Sequence, residues 1–247
     1  MRFLFLLCLL TATLATAETT ASLDGVRPLL DEALKTFRME GPKGWSFTQT
    51  TRGDGHSRVE RYNATQPEFE RWTLIQEDGH APTPDETQDY REKQSRRSRG
   101  GTAPKLTDQL DLSTLQLASE SPKRATLRCH LKPGEAGDAT AKFLTATLIL
   151  HKPTRTIESF ELAADEPFSP TWGVKIAAMK TTLTYSVPDG ARPSLLQESV
   201  THLRGRAFLI KSLDADMNVT FTDYEFPFRK PAHPEKTAAP SHSDSVR

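Results

Sequence analysis

Carboxylates near the C-terminal end of the chain come closest to an acid–base arrangement. Asp214 and Asp216 lie two residues apart, as do Asp223 and Glu225, so each pair shares one face of an extended segment. Paired carboxylates can act as general acid and base when their environments separate their pKa values. Neither pair is accompanied by a partner base. We therefore expect solvated strand ends or hairpin turns rather than a catalytic dyad.

Histidine, cysteine and carboxylate side chains at ligand spacing would indicate a metal site. None of the seven histidines lies within four residues of another, and only Cys129 and His130 are adjacent. Because neighbouring residues of a strand point to opposite faces, these two side chains cannot easily share a metal. The chain also lacks the motifs of zinc proteases, serine-hydrolase elbows, phosphate loops and dinucleotide-binding turns. The sequence therefore predicts no metal, no cofactor and no catalytic residue.

Two groups of arginines could contact an anion. The cluster Arg96-Arg97-Ser98-Arg99 could meet phosphate headgroups or an acidic partner, although cations commonly end a solvated helix. Arg204 and Arg206 flank Gly205 and could bind an anion at a rim, although strand arginines more commonly pair with carboxylates on a neighbouring strand. Neither group indicates a ligand by itself.

The overall composition excludes several classes of protein. The 247 residues carry 32 basic and 32 acidic side chains, so the chain has neither the basic excess of a nucleic-acid-binding protein nor a general attraction to anionic membranes. Hydrophobic residues make up 36% and charged residues 26%, which is typical of a folded domain with a small core. Two cysteines exclude a disulfide scaffold. Cys129 alternates with Leu127 and Leu131, and we expect its thiol to be buried and unreactive.

The N-terminus has the pattern of a secretory signal. A positive start, Met1-Arg2, precedes an apolar run and the small residues Ala15-Thr16-Ala17. The apolar run is shorter than the roughly 20 residues that span a bilayer. We expect residues 1–17 to be a signal peptide cleaved after about Ala17, and the exported protein to have no transmembrane segment.

The hydrophobic pattern changes from helical to strand periodicity along the chain. Apolar residues recur every three or four positions over 23–39, which predicts an amphipathic helix. Thr83 and Glu86 form a capping box for a second helix, which extends to about Arg97 and has Tyr90 as its only large apolar residue. Most of the remaining chain alternates with a period of two, which predicts strands.

Turns with Pro or Gly separate the predicted strands. The strands begin near 45, 57 and 70 and then cover 112–119, 124–132, 142–151, 155–163, 173–187, 193–206 and 208–226. A change of phase near Ala177-Ala178 predicts a β-bulge. Short connections indicate a mainly β (α+β) fold, a curved antiparallel sheet or unclosed β-barrel with an N-terminal helix and an inserted helix. Residues 18–226 are expected to form this single domain and residues 227–247 a disordered tail.

Ten apolar residues could line the concave wall of such a sheet. They are Trp72, Leu74, Leu144, Leu148, Leu150, Met179, Leu183, Met217, Val219 and Phe221. One or two helices cannot cover the whole inner face of a long one-layer sheet, and uncovered apolar area is a hazard unless a ligand binds there. The alternative is that these residues pack beneath the helix over 23–39, because alternation is the same in a packed and in a hollow interior.

Three stretches of the chain resemble a group of exported proteobacterial proteins. They are Arg61-Tyr62-Asn63 leading to Arg71-Trp72-Thr73-Leu74 and Asp78-Gly79-His80-Ala81-Pro82-Thr83; Pro167-Phe168 with Gly173-Val174-Lys175; and Arg204-Gly205-Arg206-Ala207-Phe208 leading to Thr222-Asp223-Tyr224. The order of helix, antiparallel sheet and inserted helix behind a secretory signal is similar to the LolA/LolB-type periplasmic fold. The resemblance covers most of residues 23–226. It implies a periplasmic location and a hydrophobic cavity that shields the acyl chains of lipoproteins in transit.

The sequence leaves three hypotheses for the function. The first is a non-catalytic periplasmic carrier that holds a lipid, a lipoprotein acyl chain or another apolar ligand on the concave face. The second is a module that binds another envelope protein through the polar helix and the Arg96–Arg99 cluster, without a small ligand. A hydrolase comes third, because no nucleophile, base and orienting group occur together.

Overall fold

The computed structural model describes residues 22–39, 43–97, 105–132, 140–190, 192–208 and 210–226, and of residues 95–97 the backbone alone. The predicted signal peptide and C-terminal tail lie outside these ranges. The described helices are α1 (Leu23–Thr36), α2 (Pro84–Arg97) and the short α3 (Leu106–Gln109), with 3-10 turns at Glu68–Glu70 and Ala141–Phe143. The strands are β1 (Ser46–Gly53), β2 (His56–Tyr62), β3 (Trp72–Glu77), β4 (Leu110–Glu120), β5 (Arg124–Leu131), β6 (Leu144–His151), β7 (Thr156–Ala164), β8 (Val174–Tyr185), β9 (Leu196–Ala207), β10 (Lys211–Ser212) and β11 (Ala215–Glu225).

The predicted mainly β fold is confirmed, with two differences in the elements. Each predicted strand has a counterpart, and the β-bulge lies where the change of phase predicts it, between Ile176 and Ala178 of β8. The prediction of one strand over 208–226 is wrong, because the chain turns between β10 and β11 and both strands pair with β9. α1 ends at Thr36, before the predicted end, because Phe37 adopts an extended conformation (φ −64°, ψ 136°).

All the strands belong to one antiparallel sheet whose two edges are β3 and β4. The order across the sheet is β3-β2-β1-β11-β9-β8-β7-β6-β5-β4, and β10 pairs with β9 beside this path. Strands β4 to β9 follow one another as a meander. The chain then returns so that the last strand, β11, pairs with the first, β1. The sheet is unclosed, and the chain passes from one edge to the other through α2 and α3.

The main core lies between α1 and strands β4 to β7. Ser22 caps the helix, since its hydroxyl accepts a hydrogen bond from the Asp24 N–H (3.3 Å). The buried stripe of α1 consists of Val26, Leu30, Ala33 and Leu34. It packs on sheet residues that are at most 1% exposed, namely Leu110, Ala125, Leu127, Ala146, Leu148, Leu150 and Ile157. Apolar burial is therefore what holds α1 on the sheet.

Replacing Leu148 should destabilise the protein strongly. Leu148 is 0% exposed, so Leu148→Ala removes buried methyl groups and leaves a cavity, which lowers the free energy of unfolding by about 2–5 kcal/mol. Met217 is 41% exposed on the same face of the sheet, so Met217→Ala should cost less than about 1 kcal/mol. Urea unfolding followed by circular dichroism measures both values. Equal losses in the two variants would contradict this description of the core.

Candidate functional site

Both helices pack on the same face of the sheet, which we call the inner face. Cross-strand Cα partners share a face, so the register follows the inner face from strand to strand. One row from beneath α1 to beneath α2 consists of Leu127, Leu148, Phe160, Leu183, Ser199, Val219, Thr51, Arg58 and Glu77. The row changes from apolar to polar along its length. The two helices therefore cover chemically different ends of one face.

The register places all ten residues of the predicted wall on the inner face, in three different surroundings. Leu148 and Leu150 lie beneath α1 and are fully buried, and Leu144 packs with Phe168 and Ile176 in a second, smaller core. Trp72 and Leu74 lie on β3, next to α2. The other five lie between the two helices, and they are Met179, Leu183, Met217, Val219 and Phe221. The wall is therefore filled at one end and partly open in its middle.

We call the open middle of the inner face the central strip, formed by the inner-facing residues of β8, β9, β11 and β1. α1 packs mainly over β7 and reaches β8 at Leu183 and Tyr185, and α2 packs mainly over β3, so most of the inner face of these four strands lies between the helices. At roughly 4.8 Å per strand, the central strip is about 15–19 Å wide. Met179, Leu183 and Phe221 are half-buried, Met217 is 41% exposed, and Val219 is buried among them. The central strip is thus a partly accessible surface on which these apolar side chains stand beside the hydroxyl groups of Thr181, Ser199, Thr201 and Thr51.

A cluster of aromatic rings borders the central strip on the side of α2. The ring of Phe47 lies 5.0–5.7 Å, between centroids, from the rings of Tyr62, Trp72, Phe221 and Tyr224. Trp72 and Phe221 of the predicted wall therefore meet through Phe47, which sequence reasoning missed together with both tyrosines. The register of the predicted β1–β2 hairpin could have identified Phe47 and Tyr62, because these residues are cross-strand partners.

A cleft of about 400 Å³ opens beside the aromatic cluster, next to Gln94 of α2. Glu60 in this cleft is only 4% exposed, and its carboxylate accepts a hydrogen bond from Gln49 Nε2 (3.1 Å). Arg71 and Trp72 line the same cleft. A buried carboxylate can accept further hydrogen bonds from a hydroxyl or ammonium group. The cleft can therefore hold the polar end of a molecule whose apolar part lies on the central strip.

Tyr90 attaches α2 to the sheet. It is 5% exposed, its ring lies 6.0 Å from the guanidinium of Arg58, and its hydroxyl accepts a hydrogen bond from Gln94 Nε2 (2.9 Å) and also contacts Glu60. Arg58 donates two hydrogen bonds to Glu77 (2.6 and 2.7 Å). Burial, followed by the charge of Glu60, raises the pKa of Tyr90, so the hydroxyl stays protonated. α2 thus rests on one aromatic ring and a set of polar contacts.

The predicted capping box at the start of α2 is confirmed. The Thr83 N–H donates a hydrogen bond to Glu86 Oε2 (2.8 Å), and the Glu86 N–H donates one to Thr83 Oγ1 (3.3 Å). These bonds satisfy two backbone donors at the helix start. They fix where α2 begins, and therefore which residue of the helix faces the sheet.

The first predicted carboxylate pair is solvated and does not form a dyad. Asp216 accepts hydrogen bonds from Arg204 (2.6 Å) and His202 (2.8 Å), which lower its pKa to about 2. Asp214 instead accepts a hydrogen bond from the Gly205 N–H (3.0 Å). The two carboxylates therefore have different partners, and Arg204 has the cross-strand carboxylate that is usual for a strand arginine.

Three further predictions concern the second carboxylate pair, the thiol of Cys129 and the Arg96–Arg99 cluster. Glu225 pairs with Arg61 (2.8 Å), and Asp223 and Glu225 are both exposed, so this carboxylate pair is also solvated. Cys129 is 2% exposed and burial raises its pKa to about 11, which confirms a buried thiol that is a poor nucleophile. The Arg96–Arg99 cluster lies outside the side chains that the structure describes, so the interaction hypothesis stays a prediction.

Within the described ranges, no group of three or more His, Cys, Asp and Glu is placed to hold a metal ion. The helices among these residues are all too short or too polar to cross a membrane.

No family model, curated protein or solved structure matches the chain. Fold and site geometry are therefore the basis for assigning a function.

Replacing Tyr90 should release α2 from the sheet. Tyr90→Ala removes the ring that packs on Arg58 and the hydroxyl that contacts Glu60, whereas Asp89→Ala changes an exposed residue of the same helix. Hydrogen exchange of residues 84–97 should become much faster in Tyr90→Ala, because no other large apolar side chain holds the helix. Exchange in β5 to β7 should stay slow. Unchanged protection of α2 would contradict the role assigned to Tyr90.

Asp216 should keep its charge down to about pH 2. In Arg204→Gln its pKa should rise towards the ordinary value of 3.8, whereas Arg206→Gln, which removes no ion pair of Asp216, should leave it unchanged. Because the folded-state pKa is the lower one, the stabilising contribution is present above the unfolded-state pKa and is lost as pH falls through about 2. Carboxyl NMR titration measures these values, and an unchanged pKa in Arg204→Gln would contradict the assignment.

Proposed function

We propose that the protein is a non-catalytic binding protein that holds a lipid-like or other apolar ligand on the central strip of the inner face. The observation that carries the proposal is the group of partly exposed apolar side chains on β8, β9, β11 and β1, which lies between two helices that pack mainly on the ends of the face. Burying a few hundred Å² of apolar surface contributes several kcal/mol, at roughly 25 cal/mol per Å² before ordering costs.

The two borders of the central strip favour an amphipathic ligand. On the α1 side, a small cavity of about 180 Å³ is lined by Ala33, Phe37, Ile157 and Tyr185, which are mainly apolar. On the α2 side, the cleft that contains Glu60 is polar. A molecule with an alkyl end and a hydrogen-bond-donating end would match both borders. Acyl lipids whose headgroup carries a hydroxyl or an ammonium group belong to this class.

The proposed location is the periplasm, after removal of the predicted signal peptide. In this reading the protein works as LolA/LolB-type carriers do, by shielding an apolar group in transit. The unclosed antiparallel sheet with helices on one face supports the comparison at the level of architecture. The assignment to that fold is part of the proposal.

The proposal predicts that a charge on the central strip abolishes ligand binding. Met217→Glu and Phe221→Glu should each weaken binding of a fluorescent long-chain alcohol by at least about tenfold, because a carboxylate would face the buried alkyl chain. Both residues are partly exposed, so the variants should fold. Thr222→Glu adds the same charge to the opposite face of β11 and is the matched control.

Native mass spectrometry of protein purified from its own periplasm, followed by organic extraction, tests the proposal directly. An apolar molecule bound in defined stoichiometry is the expected result. A protein that is ligand-free after incubation with membrane vesicles and that does not bind the fluorescent probe would contradict the proposal. Equal binding by Met217→Glu, Phe221→Glu and Thr222→Glu would place any ligand elsewhere.

A further inference from the structure

Three large apolar side chains project from the end of the sheet opposite the aromatic cluster. Trp172, in the β7–β8 connection, is 86% exposed, and Phe208 and Ile210, in the β9–β10 turn, are 59% and 90% exposed. The rings of Trp172 and Phe208 pack edge to face at 5.7 Å between centroids. We call these three residues the apolar tip. Trp172 and Ile210 project from the protein surface, whereas Phe208 also lines a cleft between β8 and β9.

The backbone holds the two loops of the apolar tip together. The Phe208 N–H donates a hydrogen bond to the Gly173 carbonyl (2.6 Å). Phe208 has a left-handed backbone (φ 50°), which is unusual for a bulky residue. A strained conformation of this kind is kept only where the surrounding structure holds the residue in place. Gly173 also has a positive φ (77°), and a Cβ atom there would lie 2.7 Å from the Phe208 ring. Both loops are therefore shaped so that the apolar side chains face solvent.

Three cations flank the apolar tip. Lys175 lies three residues after Trp172, Arg206 lies two residues before Phe208, and Lys211 comes directly after Ile210. Lys175 and Arg206 are direct cross-strand partners, a placement that is destabilising for like charges. No ion pair between described residues involves any of the three cations. An anionic partner would offset the repulsion between Lys175 and Arg206.

The carboxylates near the apolar tip do not cancel these charges. Asp216 is paired with Arg204 (2.6 Å), which also interacts with Asp54, and Asp214 interacts with Arg206. Asp214 shares a cleft of about 690 Å³ with Lys175 and Arg206. A positive excess therefore remains beside the apolar residues, although the whole chain has a formal net charge of zero.

We propose that the apolar tip inserts into the interface of an anionic lipid bilayer, while Lys175, Arg206 and Lys211 contact lipid phosphates. Apolar side chains combined with cations are how peripheral proteins bind anionic membranes, and tryptophan favours the membrane interface. Contact residues for a protein partner lie more often in well-packed patches than on projecting side chains. The inference does not rest on the proposed function, since the tip is at the other end of the strands from the cleft that contains Glu60.

Vesicle co-sedimentation of the purified protein tests the inference. The protein should bind vesicles of phosphatidylethanolamine and phosphatidylglycerol and bind phosphatidylcholine vesicles much more weakly. Changing Trp172, Phe208 and Ile210 to Ser should lower binding by roughly tenfold or more per side chain. Lys175→Gln and Arg206→Gln should each lower it by about fivefold. Phe69→Ser, a residue 70% exposed at the opposite end of the sheet, should have no effect.

Tryptophan fluorescence provides a second measurement that reports on the apolar tip itself. Vesicles should shift the emission to shorter wavelength, and Trp172→Phe should lose most of this shift while it keeps most of the binding. Circular dichroism checks that each variant folds. Absence of binding by the folded protein, or unchanged binding by the triple variant, would overturn the inference. Equal binding to phosphatidylcholine vesicles would overturn the role of the cations.

Discussion

Backbone pairing between β1 and β11 is the interaction on which the rest of the molecule depends. It runs from Ser46 opposite Glu225 to Gly53 opposite Met217, and it joins the first hairpin of the chain to the end of the meander. The ion pair between Arg61 and Glu225 beside it links residues 164 positions apart. Contacts this distant in sequence carry a large loop-closure cost and form slowly. The inner face exists only when this pairing is complete, because the central strip includes strands on both sides of it.

The two helices on the inner face are held by different forces, and this difference bears on ligand entry. α1 buries a whole apolar stripe against fully buried sheet residues such as Leu148 and Leu150. α2 depends on Tyr90, whose ring lies against Arg58 and whose hydroxyl contacts Glu60. Segments with few buried apolar contacts open at low free-energy cost. If an apolar molecule binds at the central strip, as proposed, α2 is therefore the bordering helix that can move without disturbing the main core.

Much of the fold could be predicted from the sequence, because its signals are local. The capping box of Thr83 and Glu86, the stripe of α1 and the change of phase at Ala177 each reflect neighbouring residues. The pairing of β1 with β11 has no local signal, so alternation alone did not show that Phe47 joins Trp72 to Phe221. For the same reason alternation predicted that Leu148 and Met217 share a face but not that only Leu148 is fully covered.

The net charge of a chain does not show where cations cluster on its surface, just as alternation does not show which side chains a helix covers. A net charge of zero gives no hint of the apolar tip, because Lys175 and Arg206 become neighbours only through the register of β8 and β9. These two strands also carry Met179 and Leu203, which are partners on the central strip a few residues from the tip. A protein that takes an apolar molecule from a bilayer needs a surface that contacts the membrane and a sheltered apolar face close to it. Here the same pair of strands carries the proposed membrane-contacting tip and part of the proposed binding surface, so both are positioned by one set of backbone hydrogen bonds.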